Sequence, residues 1–140
     1  MFDGEGDEAF WLDYFDTDID YGELKKSYSS DKTLKSACEY AGGIRLLRQD
    51  AFEALISFII SQNNNIPRIK GIVERLCENF GEKIDGGYAF PTAQKMATLT
   101  VEDLAPLRSG FRAKYLIDAA QKVASGEVDL YHLRYFSLEA

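Results

Sequence analysis

One histidine and two cysteines are all that the 140-residue chain offers of the usual zinc-ligand types. Cys38 and Cys77 lie far apart and have no ligand-type spacing. A zinc site, which draws three or four ligands from such residues, is not expected. The chain is expected to need neither a metal nor an organic cofactor, with both thiols reduced in a core. No apolar run approaches the roughly 20 residues of a membrane span. The N-terminus has no basic-then-apolar signal pattern. The expected location is cytoplasmic. Sustained period-2 alternation is missing, so no sheet is predicted. Internal repeats and low-complexity stretches are missing too. Basic residues are absent from positions 1–23, which carry nine acids. Positions 24–140 hold 14 acids and 16 bases, so the overall charge of −7 comes from the N-terminal segment. A local basic patch is enough for phosphate contact, and the net charge does not exclude a nucleic-acid partner.

What is present centres on residues 44–81. Asp50 is a suitable N-cap for a helix that is apolar on nearly every side, from Ala51 to Gln62. A polar break follows at Asn63, Asn64 and Asn65. Pro67 fits the first turn of a second helix, where its missing N–H is not needed. Ile66, Ile69, Ile72, Val73, Leu76 and Phe80 keep helical spacing, and Gly81 stops it.

Around this unit the chain reads as helices and short loops. Residues 1–9 are an acidic tail, expected to be mobile. Phe10, Trp11, Leu12, Tyr14 and Phe15 form an aromatic cluster. Asp18 or Asp20 can cap a helix reaching Tyr28, and Ser30 or Asp31 another from Lys32 to Ala41. Gly86, Gly87 and Pro91 mark a loop. Thr92 caps a short helix to Ala97. Thr100 with Asp103 reads as a capping box for a helix to Leu107, with Pro106 near its end. Phe111 to Ala124 places Tyr115, Leu116, Ala119, Ala120 and Val123 on one stripe. A short helix is predicted over 128–135 with Asp129 as its cap, and Ser137 begins another. The whole is predicted to be all-α, a helical bundle, with residues 10–140 in a single domain.

Two breaks can carry chemistry, at 63–68 and 109–114. Helix starts present unpaired N–H groups to anions such as phosphate. Asparagine and arginine side chains match base edges, and an exposed aromatic such as Phe111 can wedge into a base stack. Asparagine also caps and turns helices well, so residue chemistry alone leaves a cap-and-turn reading open.

The stretches Leu46-Leu47-Arg48-Gln49-Asp50, Ser57-Phe58-Ile59, Ser61-Gln62-Asn63-Asn64-Asn65-Ile66, Arg68-Ile69 and Val73-Glu74-Arg75-Leu76-Cys77, with Phe111-Arg112-Ala113-Lys114-Tyr115, resemble the 8-oxoguanine DNA glycosylase/AP lyase branch of the helix-hairpin-helix DNA glycosylases. The resemblance covers the chain from about Tyr14 onwards. It implies base-excision repair, with the damaged base flipped out of the duplex. By this resemblance Asn63, Arg68 and Arg112 contact the cytosine left behind, and Phe111 fills the stack. Lys70 and Lys114 are candidate phosphate contacts. The family has Tyr more often than Phe at position 111 and Arg more often than Lys at 114, and a more glycine-rich approach than Arg108-Ser109-Gly110. Its catalytic lysine lies in a hairpin of the form Leu-Pro-Gly-Val-Gly-x-Lys, and an aspartate follows Pro-Val. Neither stretch occurs here. Lys70, Lys83 and Lys122 sit in no motif that would activate an amine. The family's N-terminal β-domain is also expected to be absent. The chain is expected to be a central fragment, inactive alone, binding damaged double-stranded DNA weakly and self-associating through exposed apolar surface. Two other readings stand beside this one: a helix-hairpin-helix glycosylase for alkylated bases, and a helical protein-interaction module with no nucleic-acid role.

Overall fold

The computed structural model describes residues 8–135. Contacts divide the chain into two compact units, Met1–Gln49 and Asp50–Ala140, a division inside the stretch read from sequence as one domain. Seven α-helices, four 3₁₀ turns and one small hairpin make up the regular structure among the described residues. The all-α expectation holds.

The first unit contains α1 (Glu8–Tyr14), α2 (Tyr21–Ser27) and α3 (Lys32–Tyr40). Asp20 opens α2 by accepting from the N–H groups of Gly22 and Glu23, and Asp31 opens α3 through Thr33 and Leu34. Of the alternatives the sequence left, Asp20 and Asp31 are therefore the caps. None of the three helices has a fully buried residue. Edge and stacked ring contacts link Phe10, Trp11, Tyr14 and Phe15. The Arg48 guanidinium pairs with Asp13, Asp16 and Asp18 at 2.5, 2.5 and 2.7 Å. Most of the predicted 1–9 tail lies outside the described residues; Glu8 and Ala9 belong to α1.

The second unit has an apolar core. Phe52, Ile56 and Ile60 of α4 (Ala51–Ser61) meet Ile72 and Leu76 of α5 (Ile66–Phe80). Met96 of α6 (Ala93–Ala97) and Ala113, Leu116, Ile117 and Ala120 of α7 (Ala113–Ala124) complete it with Leu104 and Leu107. Every buried position on α4 lies four residues from the next, on one face. The all-round apolar helix therefore leaves one side uncovered, where Phe58 is 65% exposed. On α7 the predicted stripe is broadened: Leu116 and Ala120 are fully buried, and Ala119 and Val123 pack against the core. Ala113 and Ile117 fill the core, and Tyr115 faces out.

Three local expectations change. Lys83–Ile84 (β1) and Gly87–Tyr88 (β2) pair antiparallel where a plain loop was predicted. Gly86, at φ +83°, supplies the left-handed residue such a tight turn needs. Thr100 and Asp103 do form reciprocal capping bonds, with 2.8 Å from Thr100 N–H and 3.3 Å from Asp103 N–H. The chain beyond them makes turns and one 3₁₀ turn, Ala105–Leu107, instead of an α-helix. Pro106 lacks the N–H that a longer helix would use. Near the end, only a 3₁₀ turn (His132–Tyr135) replaces the helix predicted for 128–135. Asp129 caps it by accepting from the N–H groups of Tyr131 and His132. Ser137 lies outside the described residues.

Candidate nucleic-acid interface

The three asparagines between α4 and α5 have three different tasks. Gln62 leaves the helix in an extended conformation, and Asn63 turns left-handed at φ +48°. Asparagine tolerates that region better than most residues with a Cβ. Asn64 Nδ2 donates to the Ile60 carbonyl at 3.0 Å and closes α4. Asn65 Oδ1 accepts from Arg68 N–H at 3.0 Å and opens α5. The side chain of Asn63 is exposed and makes no hydrogen bond among the described residues. The cap-and-turn reading therefore holds for all three, Asn63 as the turn residue, and only the Asn63 side chain is left without a partner among the described residues.

The second break folds against the first. Arg108 is left-handed at φ +53°, Gly110 at φ +63°, and a 3₁₀ turn (Gly110–Arg112) leads into α7. Arg112 is 3% exposed. Its Nε donates to the Gln62 carbonyl at 3.0 Å, and Nη2 donates to that same oxygen and to Asn63 O at 2.9 Å. Nη1 donates to Ser109 O at 3.3 Å. Four of the five guanidinium N–H groups thus have carbonyl acceptors. The guanidinium also lies 4.6 Å from the centre of the Phe111 ring. Phe111 itself is 61% exposed and in edge contact with Tyr115. Beside it Phe58, Ile59, Gln62 and Tyr115 line an open cleft of about 370 Å³.

Arg68 is exposed, and its Nη2 reaches Arg108 O at 3.4 Å. Lys70 is exposed on α5, and Lys114 Nζ lies 4.8 Å from the Tyr115 ring centre. None of the exposed cations Arg68, Lys70, Arg108 and Lys114 pairs with a carboxylate among the described residues. Asp118 lines the cleft beside Phe111, and these four cations carry no direct ion pair that a phosphate would have to displace. Of the predicted residues, the buried Arg112 joins Asn63 through its carbonyl and Phe111 through its ring, and Arg68 joins the same turn through Arg108 O. Sequence reasoning did not find the hold of Arg75 on the Leu107 carbonyl, at 3.2 Å from Nε and 2.9 Å from Nη2. One sign of it was available: Gly71, a glycine inside a helix, one turn before Arg75. Among the described residues no group of acidic, histidine or cysteine side chains could hold a metal ion, and no helix is long and apolar enough to cross a membrane.

Comparison with known proteins identifies the family. Residues 56–137 match the family described as HhH-GPD superfamily base excision DNA repair protein. The chain belongs to that superfamily. Residues 2–55 match the 8-oxoguanine DNA glycosylase N-terminal domain. This amends one expectation: sequence of that domain is present here, although no described residue of the stretch lies in a strand. The N-glycosylase/DNA lyase of Saccharomyces cerevisiae is 43% identical over 93 residues, covering 62% of this chain and 25% of the yeast protein. The N-glycosylase/DNA lyase OGG1 of Arabidopsis thaliana is 33% identical over 142 residues, covering 94% of this chain and 39% of its own length. Among solved structures, the apo 8-oxoguanine glycosylase/lyase of Clostridium acetobutylicum has a TM-score of 0.82 at 42% identity over 93% of this chain. The same enzyme with double-stranded DNA containing cytosine opposite 8-oxoguanine has a TM-score of 0.77 at 44% identity over 91% of this chain. This chain spans 47% and 45% of those two structures, so it aligns with less than half of each.

Proposed function

We propose that this chain carries the opposite-base-reading part of an 8-oxoguanine DNA glycosylase/AP lyase, acting in base-excision repair. Damaged double-stranded DNA is its partner, met at the nucleoid if the source is a bacterium. The observation that carries the reading is the junction at Arg112, which ties the Gln62–Asn63 backbone to the turn bearing Phe111. Asn63, Arg68 and Arg112 contact the cytosine left behind by the flipped base, and Phe111 enters the gap in the stack. Cytosine's edge offers acceptors to a guanidinium and an amino donor to an asparagine oxygen. Arg112 retains one N–H for that edge, while Asn63 and Arg68 approach from the exposed side. Lys70 and Lys114 take flanking phosphates. The uncovered face at Phe58 and Tyr115 favours association of two copies when no DNA is bound.

Family chemistry would require a lysine amine to attack the sugar C1′, forming a Schiff base as the damaged base leaves. No lysine of these 140 residues stands in a hairpin of the family's form. Placement of the nucleophile dominates such a step, and a distant lysine does not substitute. The chain by itself therefore binds without cutting. Borohydride trapping on a duplex holding 8-oxoguanine opposite cytosine, with a binding titration at several salt concentrations, tests both statements. Salt-dependent binding without a covalent adduct is expected, weakened by Arg68→Ala. An adduct would refute the inactivity. Binding indifferent to Arg68→Ala and Arg112→Ala would refute the reading role.

A further inference from the structure

The turn that presents Phe111 is held by arginines at three consecutive carbonyls. Arg75 takes Leu107 O, Arg68 takes Arg108 O and Arg112 takes Ser109 O. From this arrangement we infer that Arg75 is a positioning residue for the stack-entering aromatic. It touches no base itself and acts by fixing the left-handed turn at Arg108. The consequence for DNA rests on the function proposed above; the consequence for the turn does not.

A peptide unit is planar, so the Leu107 carbonyl and the Arg108 N–H turn together. Fixing that carbonyl fixes one side of Arg108. The Arg108 carbonyl, held by Arg68, fixes the other side. Left-handed backbone is uncommon for a residue with a Cβ and persists where its surroundings over-determine it. The two holds are unequal. Arg75 makes two bonds, at 3.2 and 2.9 Å, to one oxygen, whereas Arg68 makes one at 3.4 Å. Arg68 can exchange its long bond for a base edge. Arg75, half-buried, stays in place when it does.

The sequence of α5 supports this hold. Arg68 and Arg75 are seven residues apart, two turns along one face. Gly71 lies between them. A Cβ there would sit 3.2 Å from Arg75 Nη1, so glycine leaves room for the guanidinium to lie along the helix and reach Leu107. Lysine could not replace it, because a point charge on a flexible stem lacks the planar fork that holds a carbonyl in one orientation.

Native-state hydrogen exchange on the whole chain tests the hold. The Arg108 N–H, bonded to Ala105 O at 3.1 Å, reports on the turn, and the N–H groups of Ile56 and Ile60, buried in α4, report on the core. With Arg75→Ala, exchange at Arg108 is expected to rise at least tenfold while the core amides keep their protection. Should Arg75→Ala not fold, Arg75→Lys keeps charge and stem, and the same loosening is expected. Wild-type protection at Arg108 in whichever variant folds would overturn the inference, whatever DNA binding shows. Binding to an abasic analogue opposite cytosine or adenine tests the consequence for DNA. The preference for cytosine is expected to fall several-fold with the salt slope unchanged, because no phosphate contact is removed. A loosened turn with undiminished cytosine preference would overturn the positioning role. If the wild-type chain shows no cytosine preference, the proposed function fails, and the exchange result still decides whether Arg75 holds the turn.

Discussion

Arg112 holds the backbone carbonyl of Gln62, 50 positions earlier in the chain, through both Nε and Nη2. A charged, planar donor fork is thereby buried against a helix end whose carbonyls have lost their intrahelical partners. Removing it would leave the carbonyls of Gln62 and Asn63 without those donors. Arg112→Ala is expected to lower stability by roughly 1–3 kcal/mol, the usual penalty for a buried group left unpaired. Arg112→Lys should recover little of that loss, because lysine lacks the fork. Urea denaturation of the two variants beside wild type measures both, and full rescue by lysine would contradict the geometry.

Gly81 matters for space, not for backbone freedom. Its φ is −78°, open to any residue. A Cβ there would meet Ala89 O at 1.9 Å and Cys77 O at 2.6 Å. Both are backbone atoms and cannot swing aside. Gly81→Ala should destabilise by about 1–3 kcal/mol, as overpacking does. The loss should show as a lower denaturation midpoint with an unchanged slope. A neutral substitution would mean that the approach of Ala89 to the end of α5 is looser than described.

In the first unit the pH dependence should be acidic. Asp16 is held below the ordinary 3.8, first by the hydrogen bond from Tyr21 OH at 2.7 Å. Burial opposes this shift, and the Arg48 charge adds to it. A carboxyl whose folded value lies below its unfolded value contributes stability above about pH 4. That contribution is lost as pH falls through the folded value. Trp11, the chain's single tryptophan, belongs to the same unit and reports the transition. Tyr21→Phe should move the Asp16 midpoint upward in an NMR titration of its carboxyl carbon. An unmoved midpoint would assign the shift to Arg48 instead.

Much of this was legible where the cause is local. Thr92 heading a helix to Ala97, Asp50 heading α4 and Pro67 in the first turn of α5 follow from capping chemistry within three or four residues. The two breaks and their basic surroundings were visible too. Their junction was not. A sequence shows that Arg112 is charged, but not that carbonyls near position 62 would draw it into the interior. Nor does the sequence say which of three adjacent asparagines is left over, since each can cap, turn or bind. On the α7 stripe only Tyr115 was misplaced, because it satisfies helical spacing as well as Ala113 and Ile117, which the reading omitted. Only packing against α4 and α6 decides between the two faces.

The most direct measurement is the affinity of this chain for duplexes carrying a stable abasic analogue opposite each of the four bases, at one fixed salt concentration. Phosphate contacts are the same in all four, so only the reading of the opposite base can separate them. A good bidentate base contact is worth about 1–3 kcal/mol of discrimination, so cytosine should be preferred by about tenfold or more. Asn63→Ala and Arg68→Ala should each reduce that preference. Equal affinity for all four duplexes would contradict the account and leave Asn63, Arg68 and Arg112 as parts of the fold alone.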